Sequence, residues 1–445
     1  MERNRKMLKR IFGTILVSLA LLQPASALDE AEVVEKVLPS GLRIVTMENP
    51  GSRTVSVDVF ISAGSLDEDH TTTGLAHFYE HMFFRGTPSL SGLQFKKAIE
   101  DRGGITNATT AKDMTHYFIS LPSEQAEEGL KLLADALIRA ELDPEGIDIE
   151  RDVVLEEYRI GENNPGRIAI EGLYKLAYGE HPYGRSTIGT KERIKSYSRA
   201  DFLRWREENI GPKRCTIVVV GDIDAQQMAQ KARFYFAGFK GGDNQERQLI
   251  EPPSPPEEPI YSEGTGPVGS AVVMLGYPAP SAHDRKDVYG MDVLSFILGQ
   301  GKGSLLHRSL VKEKELATSV GVDYLTPRQR GLMIVSAVGE PKKAGEIRTA
   351  ALEQVEAVKA GEFDDDDIRR AKAYLLQSFL QSNETNSGKA DTIGFYSALG
   401  VPNFWKDYPE QIQAVTREDV IRAADKYLSS GYWGYTLKPS RGRRR

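Results

Sequence analysis

Two short stretches of this chain occur twice, at almost the same separation. Arg199-Ala200-Asp201-Phe202-Leu203-Arg204 is echoed by Arg417-Glu418-Asp419-Val420-Ile421-Arg422, and Asp148-Ile149-Glu150-Arg151 by Asp367-Ile368-Arg369-Arg370, at offsets of 218 and 219 residues. Nearly equal offsets point to an internal duplication, so the second half should repeat the architecture of the first. Between the copies, from about residue 241 to 267, Pro252, Pro253, Pro255, Pro256 and Pro259 stand among acids and glycines. Chain of this kind is extended and reads as a linker. Strand-like runs recur at 42–46, 55–61, 115–121, 216–220 and 270–275. Helical patterns recur at 75–84, 93–101, 123–138, 144–160, 225–236 and 287–298. The expected fold is α+β, with two homologous halves that each pack helices on a sheet. The first half is assigned to residues 28–245, the linker to 246–266 and the second half to 267–440.

Residues 1–27 are set apart from the fold. A basic start (Arg3, Arg5, Lys6, Lys9, Arg10) precedes an apolar run over 11–22, and Ala25-Ser26-Ala27 supplies a small-x-small cleavage pattern. That is the layout of a secretory signal peptide, with an uncleaved anchor as the alternative, and the run is short for a membrane span. The protein is therefore expected to be exported, periplasmic or secreted, with no membrane span in the mature chain. Loss of these residues moves the formal charge from -6 to -10, which disfavours general nucleic-acid binding. The basic tail 441–445 is too short to change that. The one cysteine, Cys215, begins an apolar run that reads as a buried strand, and 445 residues suffice for a core without disulfides.

The chemistry concentrates at His77-Phe78-Tyr79-Glu80-His81. On a helix His77 and His81 lie one turn apart on one face, where both imidazoles can close on one metal ion. Glu80 sits at the edge of that face, within reach of a water beside the metal without being a ligand. Two imidazoles suit zinc, one ion per chain, and a catalytic zinc usually takes a third protein ligand. Glu80 is then the general base. This is the inverted form of His-Glu-x-x-His. Carboxylates for the third position stand in the helical segment that contains Glu150, Glu156 and Glu157. Glu150 and Glu157 are seven residues apart and share a face. Val153 and Val154 lie between them, which predicts that this face is buried; a cation would then compensate one of the two acids. Among the other histidines, His70, His181 and His283 are read as solvated, and His116 as a sheet residue.

With these residues in view, the chain resembles the pitrilysin/insulinase family of zinc metallopeptidases. The resemblance covers His77 to His81, Glu150 to Glu157, Gly103-Gly104-Ile105-Thr106-Asn107-Ala108, Thr115-His116-Tyr117 and Val218-Val219-Val220-Gly221-Asp222. It implies that His77, His81 and Glu157 are the zinc ligands and that Glu150 is a supporting acid near the site. It also implies an edge strand beyond Gly104, with Asn107 and Ala108, that pairs with extended peptide substrate. Family members often carry an Arg and a Tyr seven apart in the second half that contact substrate; the matching positions here are Val311 and Thr318. The second half also has no His-x-x-Glu-His. The chain is in this respect similar to the zinc-bearing subunit of two-chain members, such as mitochondrial processing peptidases and some bacterial relatives. The resemblance implies a zinc metalloendopeptidase that works as a heterodimer with a homologous subunit lacking the zinc motif. A non-catalytic assembly subunit of the same fold is the alternative.

Overall fold

The duplication is visible strand by strand in the computed structural model, which describes residues 32–241 and 249–440. The expected leader 1–27 and basic tail 441–445 lie outside these residues, as do 246–248 of the expected linker. The first half runs β1 (Val33–Val37), β2 (Arg43–Glu48), β3 (Thr54–Ile61), α1 (Leu75–Phe83), β4 (Gly86–Thr87), β5 (Leu90–Ser91), α2 (Gly92–Glu100), β6 (Ile105–Thr110), β7 (Thr115–Pro122), α3 (Ala126–Arg139), α4 (Pro144–Gly161), α5 (Pro165–Tyr178), α6 (Lys191–Ser196), α7 (Arg199–Asn209), β8 (Cys215–Gly221) and α8 (Ala225–Tyr235). The second runs β9 (Ile260–Gly266), β10 (Ala271–Ala279), α9 (Arg285–Gly299), β11 (Ala317–Tyr324), β12 (Gly331–Gly339), α10 (Ala344–Lys359), α11 (Asp365–Ser382), α12 (Asn386–Ala398), α13 (Phe404–Ala414), α14 (Arg417–Leu428) and β13 (Trp433–Pro439).

The larger sheet has the order β1-β2-β8-β3-β7-β6 and the smaller β11-β12-β10-β13-β9. Their connectivities match. β2 lies parallel to β8 as β9 does to β13, and β3 lies antiparallel to β8 and β7 as β10 does to β13 and β12. The edge strand β6 then corresponds to β11. Cys215 sits in β8, whose seven residues are all buried. A strand in the middle of a sheet with both faces covered reads as a continuous apolar run rather than an alternation.

The covering of those faces links the halves. Helix α12 packs on β3 and β8 of the larger sheet, and α5 packs on β13 and β10 of the smaller one. Each half thus lends one helix to the other's sheet. Both helices approach closely because a glycine faces the sheet. A Cβ at Gly394 would overlap the Phe60 ring, and one at Gly172 the Tyr435 ring. Asn386, at the start of α12, donates to the Thr54 carbonyl at 2.9 Å and to Thr54 Oγ1 at 2.8 Å. His116 Nε2 of β7 donates to the buried Asp58 carboxylate of β3 at 2.7 Å, and its Nδ1 lies 3.6 Å from Asp391 of α12. It is a sheet residue, as expected, and it stitches the borrowed helix down.

Three expectations need adjustment. The segment expected as linker contains β9, whose backbone pairs with β13 from Ile260 to Gly266. A parallel partner 173 residues later carries no local signal in the sequence. Residues 249–253 also lie against the body, with the Ile250 carbonyl accepting from Gln329 Nε2 at 2.8 Å and facing His181 Nε2 at 2.9 Å. His181 is accordingly buried, not solvated; its Nδ1 accepts from Tyr183 N at 3.1 Å. The helix expected from 123 begins as a short 3-10 turn, Ser123–Gln125, before α3. No helix among the described residues is long and apolar enough to cross a membrane.

Candidate metal centre

Helix α1 is short and is held at its start. Gly74 adopts φ 88°, a left-handed turn that suits glycine. The buried Glu68 carboxylate accepts from Gly74 N at 2.8 Å and Ala76 N at 2.9 Å, satisfying amides that the helix itself leaves open. Burial raises Glu68 to about 8, against the pull of those two bonds. Below, Phe78 and Tyr79 anchor the helix in the core. His77 and His81 consequently face the opposite way, with ring centroids 4.9 Å apart. Helix α4 brings the acids. It starts cleanly, with Pro144 in its first turn and the Asp143 carboxylate accepting from Gly146 N at 2.6 Å.

The three expected ligands meet. Glu157 Oε2 lies 3.6 Å from His77 Nε2 and 3.6 Å from His81 Nε2. That separation is too long for a good hydrogen bond. It is close to the edge of a tetrahedron of donors around one zinc, roughly 3.4 Å for bonds of about 2.1 Å. All three donor atoms lie within 4.8 Å of one another. Two nitrogens and one carboxylate oxygen, with a side open to solvent, are a donor set that fits zinc with a position to spare.

Glu150 stands behind the ligands. Its Oε2 is 3.0 Å from His81 Nδ1 and its Oε1 3.4 Å from Arg85 Nη1. The Glu150 carboxylate accepts from Nδ1–H, which turns the Nε2 edge of the ring towards Glu157 and the candidate metal position, where a cation would replace the Nε2 proton. The electrostatics follow the same plan. Burial and the neighbouring His81 lower His77 to about 4, which favours the neutral imidazole. Burial opposes charge on His81 too, but Glu150 and Glu157 outweigh it and raise His81 to about 9. The contact with His81 lowers Glu157. Together the two carboxylates create a field that favours a cation.

Glu80 lies on the same helix but outside the donor set. Thr110 Oγ1 donates to its Oε2 at 2.6 Å, and burial raises its pKa. Glu156, by contrast, is exposed and bonded to Arg159 Nε at 2.8 Å. One sequence expectation fails here. Val154 is buried, but Val153 is 42% exposed. The face between Glu150 and Glu157 is a boundary rather than a core stripe: Val154 is turned into the core, while Glu157 stays partly exposed beside the two imidazoles.

The edge strand places the other candidates. β6 forms one edge of the larger sheet and pairs only with β7 among the described residues. Asn107 and Ala108 lie midway along it, and the Asn107 Oδ1 accepts from Ala108 N at 2.9 Å. Gly104 is at its root and buried; a Cβ there would collide with Leu121 and Ile99. Thr110, at the far end, touches Glu80. The sequence reading missed Thr110 and Glu68, since nothing in spacing or composition marks either.

Comparison with known proteins agrees with this geometry. The model of the insulinase family, peptidase family M16, matches residues 43–191, and the model described as the peptidase M16 inactive domain matches 196–375. A Helicobacter pylori protein named zinc protease PqqE is 28% identical, over 94% of this chain and 96% of its own. A probable mitochondrial-processing peptidase subunit beta from Arabidopsis thaliana is 27% identical, over 88% of this chain and 75% of its own. The crystal structure of a protease from Helicobacter pylori superposes with a TM-score of 0.85 at 26% identity, covering 92% of this chain and 100% of that one. Fold, donor geometry and these matches lead to one statement: the chain belongs to the insulinase family of peptidases, family M16.

Proposed function

We propose that the chain is a zinc metalloendopeptidase, with His77, His81 and Glu157 holding one zinc and Glu80 acting as general base. The observation that carries this is the convergence of both Nε2 atoms on Glu157 Oε2 at 3.6 Å, with Glu80 beside them and outside the set. The names of the relatives, zinc proteases among them, support it. A zinc ion held there would make water acidic enough to attack at neutral pH and would polarise the scissile carbonyl. Glu80 takes the proton of the attacking water and hands it to the leaving amine nitrogen. The Thr110 hydroxyl fixes the carboxylate for both transfers. Glu150 orients His81. The open edge of β6, which ends at Glu80 through Thr110, offers backbone groups to an extended peptide, with Asn107 and Ala108 beneath it. Gly104 supports that strand from below. The test is direct: purified chain should contain one zinc and cleave internally quenched peptides until a chelator removes the metal. Zinc-loaded protein with no activity on any peptide would favour an assembly subunit instead.

Two further parts belong to the same proposal. Val311 is packed against the second core and Thr318 is exposed on the edge strand β11, so neither offers the cationic and phenolic groups that the family resemblance leads one to seek. We take those groups to come from a homologous subunit without the zinc motif, in a heterodimer. The relative named as a subunit of a processing peptidase supports that. The isolated chain should then cleave weakly and gain activity on adding the partner. Residues 1–27 would direct export to the periplasm or beyond, which fractionation of cells expressing the full chain tests.

A further inference from the structure

The duplication brings two equivalent hairpins together at their tips. β6 and β7 of the first half correspond to β11 and β12 of the second. The turn at 111–114, which joins β6 to β7, is bonded to the turn at 325–330, which joins β11 to β12. Only the first of these turns lies next to the candidate chemistry. It follows directly on Thr110, whose hydroxyl donates to Glu80 Oε2 at 2.6 Å. β6 is an edge strand, so among the described residues its last position is held from one side only, by the pairing of Thr110 with Thr115 of β7. Where Thr110 stands therefore depends on what fixes the turn after it.

The turn is closed by Ala111 N, which donates to the Met114 carbonyl at 2.8 Å. Ser65 N and Leu66 N donate to its Ala111 and Lys112 carbonyls at 3.2 and 2.7 Å. The Tyr183 hydroxyl donates to Asp113 Oδ1 at 2.6 Å. The remaining support crosses from the half without metal donors, and Arg328 supplies it. Arg328 N donates to Asp113 Oδ2 at 3.2 Å. Its Nη2 donates both to the Asp113 carbonyl at 3.1 Å and to the Ala398 carbonyl, at the end of α12, at 2.8 Å. Asp113 is only 6% exposed, so water is poorly placed to replace a lost donor. The turn that carries Arg328 is tied into its own half: Ala282 N donates to the Pro327 carbonyl at 2.8 Å, and the Tyr324 hydroxyl to the Pro280 carbonyl at 3.0 Å. We propose that Arg328 is a positioning residue for the general base, acting through Asp113, the 111–114 turn and Thr110 on the Glu80 carboxylate. The second half then takes part in the reaction without touching substrate or metal. This inference rests on the peptidase reading above. Misplacing a reacting group by roughly 1 Å can cost about a hundredfold in rate, so losing one of several supports should cost about tenfold.

The test uses the full-length chain loaded with zinc. Arg328→Ala should lower kcat on an internally quenched peptide roughly tenfold, with KM and zinc content within about twofold of the parent. Arg328→Lys, whose ammonium can donate to the same two carbonyls, should recover most of that rate. In a Thr110→Val background Arg328→Ala should add less than about a twofold loss, because the link it acts through is already cut. Losses that multiply in the double variant would overturn the proposal. Arg330→Ala is the control, since Arg330 lies in the same turn but donates to the Pro252 and Pro253 carbonyls. It should leave kcat unchanged, and a loss matching that of Arg328→Ala would overturn the specific role. Amide hydrogen exchange reads the link without substrate. Arg328→Ala should speed exchange across residues 106–115 by roughly tenfold or more, while α1 and α4 keep their protection. Unchanged exchange over 106–115 overturns the proposal whatever the activities. An unsubstituted chain that cleaves no peptide sinks the peptidase reading alone, and the exchange data then decide whether Arg328 holds the turn.

Discussion

The helix pair α1–α4 and its counterpart α9–α11 hold matching places in the two halves and are built from opposite materials. Neither α9 nor α11 contains a histidine or a glutamate. Where they meet, Phe296 and Tyr374 bring their rings to 4.7 Å, and Leu375, Leu376 and Phe379 pack against the second core. The α1–α4 seam instead carries His77, His81, Glu150 and Glu157. Apolar contact stabilises the second seam directly, whereas half-buried imidazoles and carboxylates cost stability unless a cation compensates them. The fold accepts either seam, so the polar one is explained by chemistry and not by architecture. Six substitutions and one metal removal test this contrast and the helix exchange that joins the halves.

The largest effect should come from Glu80→Gln. It keeps shape and zinc but cannot accept a proton, and hydrolysis should fall roughly 10²–10⁴-fold; wild-type kinetics with full zinc would remove Glu80 from its role. Next, Glu157→Ala should abolish stoichiometric zinc in metal analysis. In the unsubstituted chain, chelation should lower unfolding stability by about 4 kcal/mol relative to free zinc at a thousandfold its Kd. Denaturant titrations with and without zinc measure that difference, and an unchanged midpoint would mean that no metal belongs to the seam. Glu150→Gln should weaken zinc affinity or activity by roughly tenfold to a hundredfold, because His81 loses its orienting acceptor. If Glu150→Gln matched Glu157→Ala, the acid would have to be counted as a ligand.

Smaller effects probe the exchange that joins the halves. Gly394→Ala and Gly172→Ala each push a methyl into an aromatic ring of the other half's sheet. Each should cost roughly 1–3 kcal/mol, and by similar amounts if the two borrowed helices are equivalent. Calorimetry of both variants decides whether that symmetry is real. The smallest change is expected from Glu156→Ala, which removes an exposed pair with Arg159 and should leave zinc content and stability within about 0.5 kcal/mol of the parent. Zinc loss in this variant alone would reverse the assignment of the neighbouring glutamates.

Much of the site was legible because helical spacing is local. His77, Glu80 and His81 fall within one turn, and Glu150 and Glu157 are two turns apart on one helix, so shared faces could be read from periodicity alone. The failures share a different cause. Val153 was expected inside, yet a seven-residue spacing says which residues share a face and not what that face meets. His181 was expected in solvent because its neighbours are polar; what buries it is the backbone of Ile250, far along the chain. β9 was hidden in a proline-rich stretch because its partner β13 begins at Trp433.

By itself, then, the amino-acid order determined the duplication, the α+β class and the pairing of His77 and His81 with Glu80 beside them, since each is a matter of composition at fixed short spacing; Glu157 as their third partner was implied by the family resemblance alone. Only the tertiary structure decided that Glu157 closes on both imidazoles at 3.6 Å, that Glu150 serves His81, and that Thr110 serves Glu80. It alone decided that each half lends a helix to the other. These depend on how separate elements dock, and docking is set by the summed packing of residues distant in sequence, such as Gly172 on Tyr435 and Gly394 on Phe60. No local pattern encodes that sum.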